Sequence, residues 1–367
     1  MTQIVVCCGA GGVGKTTTAA ALGLRFAVAG KKVVVITIDP ARRLADSLGV
    51  GALTNDPINV DLSHLPEISG SLDALMLDAK KTFDGLVRRF TADKARAEQL
   101  LESRYYRYVS SKLVGVHEYM AMERVAGLVE TADYDVVVLD TPPTHHAVSF
   151  LTAPERLIAV MDERVINTLS KAESPKGYRT LQKSAELVMS VLDRMAGAAT
   201  LKEIGAFMGG IREVGLGIRQ RAERTRELLR SEQTRFVLVT TPAATSRNEA
   251  IELLTFLETL GFPVGALLVN RCVMPLKTQQ AVPPSGLEKP TAMNQTTWEE
   301  CVQAVRDAPA RHRALADADA DAVSALEHEV SAGTRVLKVA RMESEIHELP
   351  DLYRLAQKLP DLEALTA

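Results

Sequence analysis

The chain has 367 residues, 46% of them apolar, so it is long enough to fold as one large domain or two ordinary ones around a buried core. Its formal charge of −3 and its 4% of aromatic residues argue against nucleic acid as the main partner, which would require a cationic surface and stacking rings. No signal-peptide pattern and no membrane-spanning apolar run is visible, so we expect a cytoplasmic protein without an integral membrane segment, leaving peripheral membrane attachment open.

Short apolar runs along the chain predict strands that are buried on both faces. Because these runs alternate with helical stretches, they predict an α/β fold with a doubly wound, mostly parallel sheet. The predicted strands cover residues 4–8, 33–38, 136–139, 235–240 and 266–270, with weaker candidates at 72–77 and 335–340.

The first predicted strand leads into a glycine-rich segment, residues 9–17, with the sequence GAGGVGKTT. This segment matches the P-loop pattern between a strand and a helix, where backbone N–H groups surround the phosphates of ATP. Lys15 would reach the β and γ phosphates during catalysis, and the Thr16 hydroxyl would coordinate Mg²⁺. A glycine-rich turn without a ligand is the alternative. The predicted ATP-binding residues are Gly11, Gly12, Val13, Gly14, Lys15, Thr16 and Thr17.

Asp39 follows the second predicted strand, so we expect it at the same edge of the sheet as the P-loop. There it could orient the water that attacks the γ-phosphate, which makes it a catalytic candidate. The alternative is an N-cap for a helix that opens at Pro40, and the two roles are compatible.

Asp140 ends the strand predicted at 136–139, again at the carboxyl edge. In P-loop enzymes such an aspartate contacts Mg²⁺ directly or through another ligand, whereas a capping or turn role is the alternative. We predict Thr16 and Asp140 as the two metal-binding residues.

Two long segments with helical patterning, residues 79–132 and 152–233, exceed the length of ordinary crossover connections. We interpret them as a helical subdomain inserted into a single P-loop ATPase domain of residues 1–367. Residues 276–297 are polar and rich in proline, which predicts a mobile loop, and a further helix is predicted at 311–332.

In order and spacing, residues 9–17, 37–41, 140–146 and 269–271 resemble the ArsA/GET family of dimeric ATPases. That family includes the ATPase subunit of the arsenite pump and the cytosolic targeting factor for tail-anchored membrane proteins. The resemblance implies that Asp39 orients water in a switch I segment, that Asp140 begins switch II, and that the amide of Asn270 recognises adenine. An ordinary asparagine at a strand end is the alternative for Asn270.

The chain departs from the family at Ala10, because most members carry a second lysine there that reaches the nucleotide of the other subunit. It also lacks a C-x-x-C pair for zinc and a cysteine cluster for arsenite, so we expect no zinc and regard arsenite export as a weak hypothesis. Arg42 or Arg43 could replace the missing cation in cis.

These features predict a Mg-ATP-dependent dimeric ATPase that alternates between open and closed states to bind and release a client, such as a membrane-protein segment. The methionines of the helical segments either line a groove for that client or fill a core. The dimer could be a homodimer or a heterodimer. Two alternatives remain: a regulatory subunit paired with a lysine-bearing paralogue, and the ATPase subunit of an anion pump.

Overall fold

The computed structural model describes residues 1–39, 43–66, 68–104, 106–107, 116–131, 133–143, 150–160, 200–276, 289–331 and 333–362. The described residues form eight strands and ten helices. In chain order these are β1 (Gln3–Gly9), α1 (Lys15–Val28), β2 (Lys32–Thr37), α2 (Arg43–Leu48), β3 (Ile58–Asn59), β4 (Ser71–Met76), α3 (Ala79–Phe90), α4 (Lys94–Glu102), α5 (Val116–Thr131), β5 (Val136–Asp140), α6 (Ala153–Val160), α7 (Thr200–Leu229), β6 (Thr234–Thr240), α8 (Ala244–Thr259), β7 (Val264–Cys272), α9 (Gln295–Glu329), β8 (Arg335–Ala340) and α10 (Leu349–Lys358).

The eight strands form one sheet in the order β3-β4-β2-β5-β1-β6-β7-β8. Every pairing is parallel except that of β3 with β4, so the predicted doubly wound, mostly parallel α/β fold is confirmed. The sheet contains all seven strands expected from the apolar runs. It also contains β3, which no apolar run predicts because two residues are too short for a recognisable pattern.

Alternate residues of the central strands point to opposite faces of the sheet, and each face has its own apolar core. On one face Val5 and Val138 meet α1, α2 and α10, while on the other Val6 and Leu139 meet α5, α8 and α9. The alanines of α1 are fully buried, which lets this helix lie close against the sheet and brings the loop before it onto the strand ends. Burial on both faces is the arrangement that continuous apolar strands require.

Helices α3 to α7 form a third core beyond the sheet, in which Phe83 stacks on Tyr106 at 5.4 Å between ring centroids. Arg221 of α7 is buried there and pairs with Glu123 and Glu130 of α5, so an ion-pair network joins the two helices. These helices belong to the segments predicted as an inserted subdomain, of which residues 161–199 lie outside the described residues. Whether they act as a separate subdomain stays a prediction.

Helix α9 begins at Gln295, well before the predicted start at residue 311, and Asn294 caps it by accepting a hydrogen bond from the Thr297 N–H at 2.8 Å. Pro309 lies inside α9, and because proline normally ends a helical pattern, the sequence places the start of the helix beyond it. The last three residues of the predicted loop 276–297 are therefore helical. Residues 277–288 lie outside the described part of the chain, and the mobility of the loop stays a prediction.

Candidate functional site

The P-loop leaves β1 at Gly9 and reaches α1 through backbone that only glycine adopts easily. Gly12 and Gly14 have φ values of 77° and 94°, in the left-handed region that favours glycine. A Cβ on Gly9 would lie 2.1 Å from the carbonyl oxygen of Val239 in β6, so the loop starts in close contact with a neighbouring strand. The loop thus leads from the carboxyl end of β1 to the N-terminus of α1, where backbone N–H groups without intrahelical partners can bind an anion.

Lys15 is the first residue of α1, and its side chain is only 8% exposed. Its Nζ donates a hydrogen bond to the carbonyl oxygen of Ala10 at 2.6 Å, so the lysine bends back over the loop. Burial lowers the pKa of Lys15, while the negative charges of Asp140 and Asp39 act in the opposite direction. The ammonium group is thus held against the P-loop, where it could also donate to a phosphate oxygen.

Asp140 ends β5 and is 1% exposed. Its Oδ2 atom accepts hydrogen bonds from the hydroxyls of Thr16 at 2.8 Å and Thr37 at 3.0 Å, which join the P-loop, β2 and β5. Burial raises the pKa of Asp140 to about 6, and the two threonine hydrogen bonds and Lys15 oppose that rise. The network explains how residues far apart in the chain are brought to one point.

The residues around Asp140 fit a divalent cation. The Oδ1 atom of Asp140 is buried and has no hydrogen-bond partner among the described residues, which leaves a carboxylate oxygen available to a cation. The Thr16 hydroxyl donates its only proton to Asp140, so its lone pairs stay available as well. Hydroxyl and carboxylate oxygens are the ligands that Mg²⁺ prefers, and their pairing here agrees with the predicted metal site.

Asp39 lies two residues beyond the end of β2, and its backbone N–H donates to the Thr37 hydroxyl at 3.2 Å. It lines the same cleft as Lys15 and Thr16, and its charge contributes to the pKa of both Lys15 and Asp140. Residues 40–42, which include Arg42, lie outside the described residues, and α2 begins at Arg43. The structure therefore places Asp39 beside the predicted catalytic residues, whereas its water-orienting role stays a prediction.

Two adjoining clefts open at this edge of the sheet. The first, the phosphate cleft, has a volume of about 690 Å³ and is lined by the P-loop, Asp39 and residues 141–143. The second, here called the distal cleft, has a volume of about 910 Å³ and is lined by Asn270 and residues 341–347. Residues common to both clefts are Gly14, Thr17, Arg43 and Arg271. Six of the seven predicted ATP-binding P-loop residues line one of these clefts, and the seventh, Val13, is buried behind them.

Asn270 lies at the end of β7 and touches the P-loop directly. Its Nδ2 donates to the carbonyl oxygen of Val13 at 2.9 Å, and its Oδ1 accepts from the N–H of Arg271 at 2.9 Å. A Cβ on Gly14 would lie 2.6 Å from Nδ2, so Asn270 leaves room only for glycine there. The amide still lines the distal cleft, and adenine recognition stays a prediction.

Several contacts of the site could not be expected from sequence spacing. Asn270 and Val13 are 257 residues apart, and no local pattern connects them. Thr37 could have been recognised as a site residue, since it is a polar residue at the end of an apolar strand, two positions before Asp39. Thr141 extends the network, because its hydroxyl donates to the carbonyl oxygen of Cys7 at 2.8 Å.

The cysteines provide no reactive group in the phosphate cleft. Cys7 and Cys8 are fully buried in β1, and burial raises the pKa of the Cys8 thiol to about 12. Cys272 is buried at the end of β7, and Cys301 is exposed on α9. The two β1 thiols are therefore part of the sheet core. Within the described part of the chain, no helix combines the length and apolar character needed to span a membrane.

Comparison with known proteins gives a consistent result. The profile of the anion-transporting ATPase family ArsA_ATPase matches residues 2–331. Among curated proteins, the chain is similar to ATPase GET3B of Arabidopsis thaliana, with 27% identity over 73% of this chain and 63% of that protein. It is 26% identical to ATPase ARSA1 of Chlamydomonas reinhardtii, over 74% of this chain and 35% of that protein. It is also 26% identical to ATPase GET3 of Malassezia globosa, over 74% of this chain and 73% of that protein. The chain therefore matches less than two thirds of the length of the first two relatives.

Proposed function

The chain belongs to the anion-transporting ATPase family, ArsA_ATPase, and from this premise we propose that it hydrolyses MgATP as a dimer and uses the cycle to capture and release a protein client. The observation that carries the ATPase part is the network in which Asp140 accepts hydrogen bonds from Thr16 of the P-loop and Thr37 of β2. It gathers the predicted phosphate, metal and water-orienting residues around one cleft.

In this proposal each residue of the phosphate cleft has one task. The backbone of the P-loop and Lys15 bind the phosphates, and Thr16 and Asp140 would hold Mg²⁺. When bound, the cation neutralises charge on the β and γ phosphates. Asp39 orients the attacking water, so that catalysis depends mainly on positioning and electrostatics.

Hydrogen bonds also connect the cleft to the helical layer. The Thr37 carbonyl oxygen accepts a hydrogen bond from the Leu77 N–H at 3.0 Å. The next residue, Asp78, caps α3, because its side chain accepts a hydrogen bond from the Lys81 N–H at 2.9 Å. On the other side, Asp140 is followed by the segment that leads to α6. Both α3 and α6 belong to the third core, and a change around Asp140 has a short hydrogen-bonded route to α3 through Thr37 and Leu77. This continuity supports the proposal that ATP acts on a client surface.

The client is proposed to be an apolar segment of a membrane protein, from the likeness to the GET branch of the family. Leu216 of α7 is 56% exposed, which places one large apolar side chain on the outside of the helical layer. Of the methionines proposed for a groove, Met120 and Met122 are buried in the cores instead. Met161, Met189, Met195 and the side chain of Met208 lie outside the described residues.

We expect MgATP to change backbone hydrogen exchange across residues 152–233, because closure of the dimer would rearrange the helical layer. The measurement compares the apo and MgATP-bound states by mass spectrometry. A Lys15→Ala variant serves as the control, since it should show the apo pattern in both conditions. Identical exchange in the two states of the unmodified protein would contradict coupling between nucleotide and client surface.

A heterodimer is the second candidate, and Ala10 is the observation that favours it. Ala10 is 5% exposed and packs in the core beside α1, at the position where most family members have a second lysine. In a homodimer both nucleotides would lack that cation, whereas a lysine-bearing paralogue would restore it at the nucleotide of this chain. The isolated protein would then hydrolyse ATP slowly.

We expect the paralogue to stimulate hydrolysis, and Ala10→Lys to raise the rate of the isolated protein by roughly ten-fold or more, in line with the effect of cations supplied in trans. Steady-state hydrolysis is measured at several protein concentrations. Ala10→Met, which adds similar length without charge, is the control for changes in packing. Fast hydrolysis by the protein alone that is unchanged by Ala10→Lys but lost in Arg42→Ala or Arg43→Ala would place the cation in cis and contradict the heterodimer.

A further inference from the structure

Strand β7 ends in a bulge beside the nucleotide clefts. Val269 pairs with Lys338 and Cys272 pairs with Ala340, so two residues of β7, Asn270 and Arg271, lie opposite a single residue of β8. Bulges are rare in parallel pairs, and they redirect side chains at the edges of sheets and next to active sites. Here the bulge falls at the point where the P-loop contacts β7.

Arg271 holds an unusual backbone conformation within this bulge. Its φ of 62° is the only positive value for a residue other than glycine among the described residues. This conformation is unfavourable for a long side chain and persists where the surroundings impose it. Here the Asn270 amide contacts both neighbours: its Oδ1 accepts a hydrogen bond from the Arg271 N–H, and its Nδ2 donates one to the Val13 carbonyl oxygen. The Asn270 side chain, which contacts the P-loop, therefore also constrains the backbone conformation of Arg271.

Arg271 is exposed and lines both the phosphate cleft and the distal cleft. Its guanidinium makes no hydrogen bond or ion pair within the ranges that the structure describes. A guanidinium with five donors is therefore available to a ligand where the two clefts meet. Gly14 and Thr17 of the P-loop lie at the same junction.

We propose that Arg271 binds the α-phosphate of the nucleotide and so determines how tightly this chain holds both ATP and ADP. The inference rests on the placement of ATP in the proposed function. Lys15, Thr16 and Asp140 mark the end of the phosphate cleft where the β and γ phosphates lie. The base and ribose occupy the distal cleft, and the α-phosphate connects the two parts of the ligand. It therefore lies at the junction that Arg271 lines.

A phosphate at this junction also suits the charges present. MgATP remains an anion, and the family lysine that would add a positive charge from the other subunit is replaced by Ala10. A guanidinium matches two oxygens of one phosphate with two parallel hydrogen bonds. Because the α-phosphate keeps its charge throughout hydrolysis, such a contact is equal in the ground state and the transition state. It strengthens binding without accelerating the chemical step.

The test measures the Kd of MgADP and of a non-hydrolysable MgATP analogue by calorimetry for Arg271→Gln. Loss of a charge-assisted contact is expected to weaken both ligands by the same factor, roughly ten-fold, and to leave kcat at saturating ATP within about two-fold. Arg271→Lys should recover part of the affinity because it restores the charge. Arg271→Gly accommodates the left-handed backbone and should lose as much affinity as Arg271→Gln, which assigns the effect to the side chain.

Arg335→Gln is the matched control, since it removes an exposed arginine from the opposite end of neighbouring β8 and should leave both Kd values unchanged. Unchanged affinity in Arg271→Gln would overturn the proposal. So would weakening of the ATP analogue alone together with a loss of kcat, because that result would place Arg271 at the γ-phosphate. Lys15→Ala, measured in parallel, tests the proposed ATP site itself. Normal affinity in Lys15→Ala would contradict that site, whereas a loss of affinity in Lys15→Ala would confine the failure to the role of Arg271.

Discussion

Replacing Lys15 by alanine is expected to abolish detectable MgATP binding, with an affinity loss of roughly 100-fold or more, because the variant removes the buried cation that pairs with the β and γ phosphates. Lys15 is 8% exposed, and its ammonium group donates to the Ala10 carbonyl oxygen at 2.6 Å, so the cation lies within the P-loop. The backbone N–H groups of the P-loop would remain, but they lack the full charge. Calorimetry with MgATP measures the loss.

The control for this variant is Lys31→Ala, which removes an exposed lysine beyond the C-terminal end of α1 and should leave the affinity unchanged. Thermal unfolding without nucleotide should show that Lys15→Ala is folded, since truncation removes a buried charge and its desolvation cost together. If the folded variant bound MgATP with unchanged affinity, the assignment of the phosphate site to residues 9–17 would be wrong.

Replacing Asp39 by asparagine should reduce turnover by roughly 10²- to 10³-fold while nucleotide affinity stays within a few-fold, because only the orientation of the attacking water is lost. Asparagine has nearly the same shape and keeps the N–H that donates to the Thr37 hydroxyl at 3.2 Å. The loss should therefore appear in kcat and only weakly in binding. Single-turnover hydrolysis and calorimetry on the same preparation separate the two quantities.

Asp46→Asn is the matched control, since Asp46 is an exposed carboxylate in the first turn of neighbouring α2. It should leave turnover unchanged. Turnover at the unmodified rate in Asp39→Asn would contradict the water-orienting role and leave helix capping, which asparagine performs as well as aspartate, as the remaining interpretation of Asp39.

The parts of the fold that could be predicted are those with a local signal. Central strands such as β1, β2 and β5 are continuous apolar runs because both of their faces are buried. Their carboxyl ends then place the residues that follow them at one edge, which is why the positions of the P-loop, Asp39 and Asp140 were foreseeable.

The parts that could not be predicted depend on contacts between distant segments or lack a pattern altogether. Strand β3 is too short to show alternation, and the first part of α9 is separated from the rest of its pattern by Pro309, a residue that normally ends a helix. The hydrogen bond from Asn270 to Val13 forms only when β7 and β1 belong to the same sheet, with β6 between them. For the same reason the sequence cannot predict the left-handed backbone of Arg271, because this conformation depends on a bulge against β8.

The central position of β1 has a consequence for how the protein is made. The strand that carries the P-loop is synthesised before both of its partners, because it pairs with β5, where Gln3 meets Val136, and with β6, where Ile4 meets Thr234. Helix α10 closes the core around α1 only when Leu352 and Leu355 have emerged from the ribosome. The nascent chain must therefore hold an apolar strand unpaired during much of translation, which slows folding and exposes it to aggregation. Nucleotide can stabilise the protein only after β6 and β7 have been synthesised, so ATP can assist only the folding steps that follow their synthesis.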